Sequence, residues 1–422
     1  MKKSIYNFIY EYKNEYLIYN SFRNSLALIN KDEYEKYTKL DFSDDELKNF
    51  SFGGFLVEDT FNELQEVKYN MLSDRYSKRF LALTIAPTID CNFRCVYCYE
   101  KHHGVNTYMS EKTQDNVINF IKEEIKNHEG LYVTWYGGEP LLATDIIDRL
   151  SKEFIKISVE NKVDYKSYIV TNGYLLTEKN IKKLNDRKID GMQVTIDGNR
   201  ESHDNKRFLE NKMPTYDTIL SNLKKNYDGL INLSLRINLD EKNLGTEKEV
   251  IDEINKFDMD KKITPYIAKV RNENDTYDDN FCIESSKFDN YELNFYKKNE
   301  NSFVKQLYPN IISNFCTADS TESFIFNYNG DVYKCWSEIG DDNKKIGSLT
   351  ENGIENINYS NYFKYVLYDP TEDSECKKCK ILPICMGGCP FIREEEGREC
   401  SKYKNIIKEV IFKTVDIMEE KI

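Results

Sequence analysis

Long apolar runs, histidine and an excess of positive charge are what this sequence has least of. No stretch approaches the roughly 18 consecutive apolar residues that cross a bilayer, so no membrane span is expected. The first eleven positions carry two lysines and then alternate polar and aromatic residues, without the apolar centre of a signal peptide. The expectation is a soluble, cytoplasmic protein. Four histidines in 422 residues offer no histidine-rich metal site and no triad. With 59 Lys+Arg against 72 Asp+Glu the net charge is -13, which argues against general binding to nucleic acid or to an anionic membrane. The chain, at 49.9 kDa, is long enough for two or three domains with substantial cores.

Cysteine is what the sequence does have. Eleven of them, an odd number in a large chain without an export signal, point to metal or redox use rather than to a disulfide framework. Three lie at 91–98, one stands alone at Cys282, and seven fall between Cys316 and Cys400. The first group, Cys91-x3-Cys95-x2-Cys98, follows an apolar run at 80–87 that reads as a buried strand. Three thiolates can hold three irons of a 4Fe-4S cube and leave the fourth iron open, whereas an electron-carrying cluster normally has four cysteines. The alternatives are a structural zinc site short of one ligand, or buried cysteines without a role.

The spacing Cys91-x3-Cys95-x2-Cys98, with the aromatic Tyr97 just before the third cysteine, resembles the signature of radical S-adenosylmethionine (SAM) enzymes. The resemblance implies that the open iron binds SAM through its amino and carboxylate groups. Reductive cleavage then gives a 5′-deoxyadenosyl radical that takes hydrogen from the substrate, while the protein binds, orients and excludes.

From about residue 81 to 270 strand-like runs alternate with helical patterns, such as 110–127, where Val117, Ile118, Ile121 and Ile125 recur at helical spacing. Six β/α units predict an α/β fold, a partial (β/α)6 parallel barrel, with its chemistry on the loops after the strand ends. The loop Gly137-Gly138-Glu139-Pro140 brings two glycines and a carboxylate after the second strand, and resembles the family motif that meets the SAM amino group. Thr171-Asn172-Gly173 and the stretch from Thr195 through Asp197, His203 and Arg207 look like the matching loops of the peptide-modifying subgroup. By that resemblance Thr195 lies near the ribose and Arg207 on the SAM carboxylate, with Tyr97 and Gly138 giving close backbone contacts. Arg236 on the fifth strand is a further candidate for the carboxylate. Asp197 and His203 also fit simple cap or turn roles.

Residues 1–78 read as a separate small domain. Two strand-like runs meet at Lys13-Asn14, a third lies at 26–29, Asn30 or Asp32 and then Ser43 offer helix caps, and Gly53-Gly54 precedes Phe55-Leu-Val. The layout resembles the winged-helix-like α+β domain that recognises peptides at the front of many peptide-modifying enzymes. Residues 79–309 are read as the barrel plus a connector, the part from about 271 losing apolar periodicity, and 310–422 as a cysteine-rich iron-sulfur domain ending in an amphipathic helix from Tyr403.

Seven cysteines near glycines exceed what one zinc ribbon uses. Cys316-x13-Gly330-x4-Cys335, then Cys376-x2-Cys379-x5-Cys385-x3-Cys389 and Cys400, resembles the SPASM extension of radical SAM enzymes at every cysteine. The resemblance implies three 4Fe-4S clusters in all. Cys376, Cys379, Cys385 and Cys400 would hold the distal auxiliary cluster, and Cys316, Cys335 and Cys389 the nearer one. That leaves the nearer cluster one ligand short, with Cys282 the spare cysteine.

The expected function is a radical SAM/SPASM maturase of a ribosomally synthesised peptide, joining a cysteine sulfur to a peptide carbon in a thioether. The expected partners are a precursor peptide with a leader and a reducing donor such as flavodoxin or ferredoxin. Carbon-carbon cross-linking and formylglycine formation are alternatives of the same class. The latter needs an Asp directly after the cysteine of Gly-x4-Cys, where this chain has Trp336. A non-catalytic iron-sulfur electron carrier is the alternative of another class.

Overall fold

The computed structural model describes residues 1–100, 106–229, 232–273, 275–298, 300–395 and 397–420. It divides into two compact units, each discontinuous in sequence. One comprises residues 77–283 and 322–365; the other comprises residues 1–76, 284–321 and 366–422.

In the barrel unit every apolar run read as a strand forms one: Phe80–Ile85, Gly130–Trp135, Asp164–Thr171, Gly191–Ile196, Leu233–Leu239 and Ile263–Lys269. They pair in parallel in chain order. Alternate positions such as Leu81, Leu83 and Ile85 are buried, as are Val117, Ile121 and Ile125 from the following helical segment. A Leu or Ile so buried contributes about 1.5–3 kcal/mol relative to exposure. The first and sixth strands do not pair, so the barrel is partial. Instead Ser323–Phe326 pairs in parallel with the first strand, and Asp331–Tyr333, Gly347–Thr350 and Gly353–Glu355 extend the sheet antiparallel to ten strands.

In the other unit the strands Asn7–Tyr12, Glu15–Asn20 and Ser25–Ile29 form an antiparallel sheet, with Lys13 at φ +54 in the first turn. Helices Lys31–Lys39 and Asp44–Phe52 start at Asn30 and Ser43, each closed by a capping box with Glu33 and Glu46. The strand period of two sends Ile18 to one face, among Tyr37, Phe50 and Leu56, and Leu17 and Tyr19 to the other. That second face packs on Ile381, Ile384, Cys385, Ile407 and Ile411, so the N-terminal sheet shares its core with the late cysteines. One division between the compact units falls at 76/77, beside the expected 78, and the others at 283/284, 321/322 and 365/366 rather than at 309.

The connector expected from about 271 to 309 is in large part helical. Helices Ser285–Lys297 and Glu300–Leu307 bury Leu293, Tyr296, Phe303 and Leu307 against Ile406, Val410 and Ile417 of the terminal helix Tyr403–Glu419. The Asn, Asp and Lys of the exposed faces hide that short stripe from a periodicity search. Asn274 and Asn299 of this stretch, and the last two residues of the terminal segment, lie outside the described residues. Among the described residues no helix is long and apolar enough to cross a membrane.

Candidate active site

The cysteine loop leaves the first barrel strand and is laid against the segment after helix Arg200–Lys206. Arg94 N–H donates to the Phe208 carbonyl (2.8 Å) and Val96 N–H to that of Lys206 (3.0 Å). Cys91, Cys95 and Cys98 thereby line one cavity of about 370 Å³ together with Tyr97, Gly137, Gly138, Asn172, Thr195, Arg207 and Arg236. Burial pushes all three thiols up, Cys98 to about 12. Thiols held that high ionise at neutral pH when a metal takes the place of the proton.

The glycines of the second loop serve chain-on-chain contact as well. Gly137 sits at φ +107, and a Cβ on Gly138 would lie 2.3 Å from the Asp90 carbonyl oxygen. Gly138 N–H donates to Thr88 O (3.2 Å) and Glu139 N–H to Asp90 O (2.9 Å), which fixes the turn against the backbone leading into Cys91. Glu139 is fully buried, and its carboxylate does not line the cavity. It accepts from Leu141 N–H (3.0 Å), the Thr171 hydroxyl (2.7 Å) and Asn172 N–H (2.7 Å). Glu139 thus ties the second-strand loop to the third, and the surface the turn offers to an ammonium group is its backbone.

Tyr97, expected to give SAM a close backbone contact, also carries a hydroxyl whose role as a hub sequence reasoning missed. Its hydroxyl donates to Asp197 Oδ1 (2.8 Å) and accepts from Arg207 Nη1 (3.1 Å) and Asn238 Nδ2 (3.0 Å). Burial works against the Arg207 charge, but Cys95, Tyr97 and Asp197 around it hold the guanidinium above its usual range. Behind this group lies a buried Lys206–Asp240 pair at 2.6 Å, with Asp240 also bound by the Tyr277 hydroxyl at 2.6 Å. The one legible signal was the alternation Arg236-x-Asn238 on the fifth strand, where Arg236 Nε donates to Asn238 Oδ1 (2.8 Å). Tyr97→Phe deprives three buried partners of the oxygen. It is expected to raise the KM for SAM about tenfold in assays of 5′-deoxyadenosine formation; an unchanged KM would remove the hydroxyl from the site's architecture.

His203 does more than close a turn. Thr215 donates its one hydroxyl proton to Arg207 O (2.6 Å), so it accepts from His203 Nε2–H (2.9 Å), leaving Nδ1 to accept from Asp197 N–H (3.1 Å). The ring is a neutral strut between the Asp197 loop and Arg207. Burial, then Arg207, holds its pKa well below 6.5. The unfolded chain takes up this proton below pH 6.5 and the folded one does not, so stability falls as pH drops from there, by about 1.4 kcal/mol per unit from this one group. Urea midpoints at pH 5 and 7 should differ less in His203→Asn than in wild type.

Six of the seven late cysteines lie in the other unit. Burial leads in raising the Cys376 and Cys385 thiols, with Cys385 adding to the rise at Cys376, and Cys400 and Cys379 adding to that at Cys385. Cys316 feels Cys389 in the same way. Cys335 and Cys282 belong to the barrel unit. After burial and a bond from the Asn272 backbone, the groups that shift Cys282 are Asp279, Asp240 and Asp278, with no cysteine among them. From these surroundings Cys282→Ser is expected to keep its full iron content on reconstitution, and loss of iron would restore the residue as a ligand.

These donors fit a cluster with SAM beside it. Three thiols share one wall, Asn172 and Thr195 present polar groups, and Arg207 Nε, buried in the lining, has no hydrogen-bond partner. The profile of the radical SAM superfamily matches residues 85–243, and that of SPASM, an iron-sulfur cluster-binding domain, matches 316–380. The chain is a radical SAM enzyme with a SPASM domain. Its cofactors are 4Fe-4S clusters and SAM.

Among curated relatives, this enzyme is 23% identical over 368 residues to a cysteine-type anaerobic sulfatase-maturating enzyme of Clostridium novyi, covering 79% of this chain and 96% of that one. It is 30% identical over 173 residues to a GTP 3′,8-cyclase of Clostridium perfringens, covering 40% of this chain and 48% of the cyclase. Among solved structures, anSMEcpe with bound AdoMet and a peptide aligns with a TM-score of 0.61 at 19% identity, over 81% of this chain and 98% of that one. Streptococcus suis SuiB bound to its precursor peptide SuiA aligns at 0.54 and 14%, over 94% and 97%.

Proposed function

We propose that this enzyme matures a ribosomally synthesised peptide and that its product is a thioether between a cysteine sulfur and a peptide carbon. The observation that carries the reading is the cavity itself, with Cys91, Cys95 and Cys98 on one wall and Trp336 and Ser337 also in its lining. A 4Fe-4S cluster and SAM held there supply a 5′-deoxyadenosyl radical able to take hydrogen from a peptide carbon. The chain's own part is to fix SAM through Arg207 and the backbone of the Gly137–Gly138 turn, and to keep water from the reacting carbon. Cys376, Cys379, Cys385 and Cys400 would hold an auxiliary cluster, which would supply an acceptor for the second electron. Flavodoxin or ferredoxin is the donor.

The likeness to SuiB, solved with a precursor peptide, and to the peptide-bound anSMEcpe supports a peptide substrate. Formylglycine formation is disfavoured at Trp336, whose indole donates to Thr84 Oγ1 (3.0 Å) and lies over Tyr136 (4.4 Å), so no carboxylate stands at that position.

The test is an anaerobic reaction of reconstituted enzyme, SAM and reductant with a short cysteine-containing peptide encoded beside its gene. Loss of two hydrogens with one sulfur protected from alkylation supports the thioether. Deoxyadenosine with an unaltered peptide discards that peptide as substrate. For the leader, the half-exposed Leu28 on the edge strand Ser25–Ile29 is a cleaner probe than deletion of the N-terminal segment, which supplies core to the late cysteines. Leu28→Lys should weaken peptide binding while SAM cleavage persists, and unaltered binding would take the leader away from this edge.

A further inference from the structure

Cations crowd the late cysteines in a chain whose net charge is -13. Lys377 and Lys378 lie between Cys376 and Cys379, Lys380 follows Cys379, and Lys404 and Lys408 stand on successive turns of the terminal helix. All five are exposed. Lys404 Nζ donates to Cys400 Sγ (3.4 Å), and Cys379 also acts on its charge. From there the surface runs on through aromatic rings. Lys408 lies over Tyr10 (5.9 Å) and Phe412 (5.4 Å), Tyr10 stacks beside Phe8 (6.2 Å), and Lys380 lies over Phe8 (5.6 Å). The lysines form a basic rim beside Cys379 and Cys400, within a single compact unit.

Among the described residues no carboxylate pairs with any of the five. The acids nearby are engaged elsewhere: Asp373 and Glu375 by Arg398, and Glu372 by Lys68 (2.6 Å), while Glu409 acts on Tyr10. Like charges at i and i+4 of a helix repel, as do three lysines within four positions of a loop, so the rim costs stability until something anionic meets it.

We propose that this rim is the docking surface of a small acidic electron-carrier protein, a flavodoxin or ferredoxin, which it brings up to Cys376, Cys379, Cys385 and Cys400. The inference rests on the reading that those four hold an auxiliary cluster. Charge selects the partner: a chain of net charge -13 repels an acidic protein as a whole, so a local positive rim decides where such a protein settles. Exposed lysines around a small area suit the brief encounters of redox partners, whose interfaces are among the smallest. The electron count suits a single carrier. One electron enters to cleave SAM to methionine and the adenosyl radical, and one returns when the carbon radical joins the sulfur and the thiol proton leaves, so SAM is the net oxidant and the carrier ends unchanged.

Anaerobic calorimetry of the reconstituted holoenzyme tests this with an oxidised acidic flavodoxin, an acidic 2Fe-2S ferredoxin and phosphatidylglycerol vesicles. At least one carrier is expected to bind, and about tenfold more weakly at about 300 mM salt than at about 50 mM. At the lower salt its affinity should fall about tenfold in Lys377→Gln, Lys378→Gln, and likewise in Lys380→Gln, Lys408→Gln. Iron content and dithionite-driven SAM cleavage of the second variant should match wild type, since its two lysines meet aromatic rings rather than thiols. No binding of either carrier, binding that ignores salt, tighter binding to the vesicles than to the carriers, or affinity unchanged in both variants overturns the proposal. The salt comparison needs no variant, so a misfolded one does not blunt it. Peptide modification under dithionite without carrier binding would remove this surface and leave the maturase reading standing, and carrier binding without modification of any peptide would do the reverse.

Discussion

Cys98→Ala is expected to abolish SAM cleavage, lowering 5′-deoxyadenosine formation by about a thousandfold or more, while iron content falls by about one third. The size of the effect follows from the donor set. Cys91, Cys95 and Cys98 face one cavity, and each is raised by burial, so none ionises there except on a metal. With only three thiols on that wall, loss of one leaves a pair. Nothing else in the described lining replaces it readily: Glu100 is buried, has no hydrogen-bond partner among the described residues and is pushed up to about 8 by burial, which favours its neutral form at pH 7. The check is iron determination beside chromatography of the SAM products, on protein reconstituted anaerobically. Cleavage persisting in Cys98→Ala would place the SAM-binding cluster elsewhere, and the whole active-site assignment would move with it.

The parts of this molecule legible in its sequence are those written in period and spacing. Strands such as 81–85 and 131–135 announce themselves because their outer faces are buried under helices and their inner faces close a barrel, so little polar sequence interrupts them. Asn30 and Ser43 were legible as caps because a cap is a local hydrogen bond between neighbours. The cysteines were legible because ligation needs their residue type at a fixed spacing. What escaped is long-range. Tyr97 is visible as the aromatic of the cysteine loop, but its hydroxyl meets Asp197 a hundred positions away and Asn238 further still. The helices between 285 and 307 escaped because their apolar residues are few and match a partner more than a hundred residues downstream. Glu139 was legible in position, but its bonds to the chain were not. A carboxylate after two glycines suggests a ligand contact, and only the fold shows that three protein donors already claim it.

That task makes Glu139→Ala the second large effect. The substitution leaves the Leu141 and Asn172 amides and the Thr171 hydroxyl without their acceptor in a site shut off from water. Each stranded buried donor costs about 1–3 kcal/mol, so together the loss is about 3–6 kcal/mol even after some rearrangement. For a unit of this size that is a fall in Tm of about 10 °C or more. Burial raises the carboxyl's pKa and the three donors lower it, so the group sits between opposing demands and its stabilising value lies in the bonds it accepts. Glu139→Gln keeps one acceptor oxygen and turns two N–H donors toward partners that also donate, so it should fall between wild type and alanine. The Gly137–Gly138 turn and Asn172 both line the cavity, so SAM cleavage in the alanine variant is expected to drop about a hundredfold at temperatures where the protein remains folded. If thermal unfolding survives Glu139→Ala unchanged while SAM cleavage falls, the carboxylate is not what binds the second loop to the third, and the direct contact with the SAM amino group expected from the motif becomes the better account of why it is there.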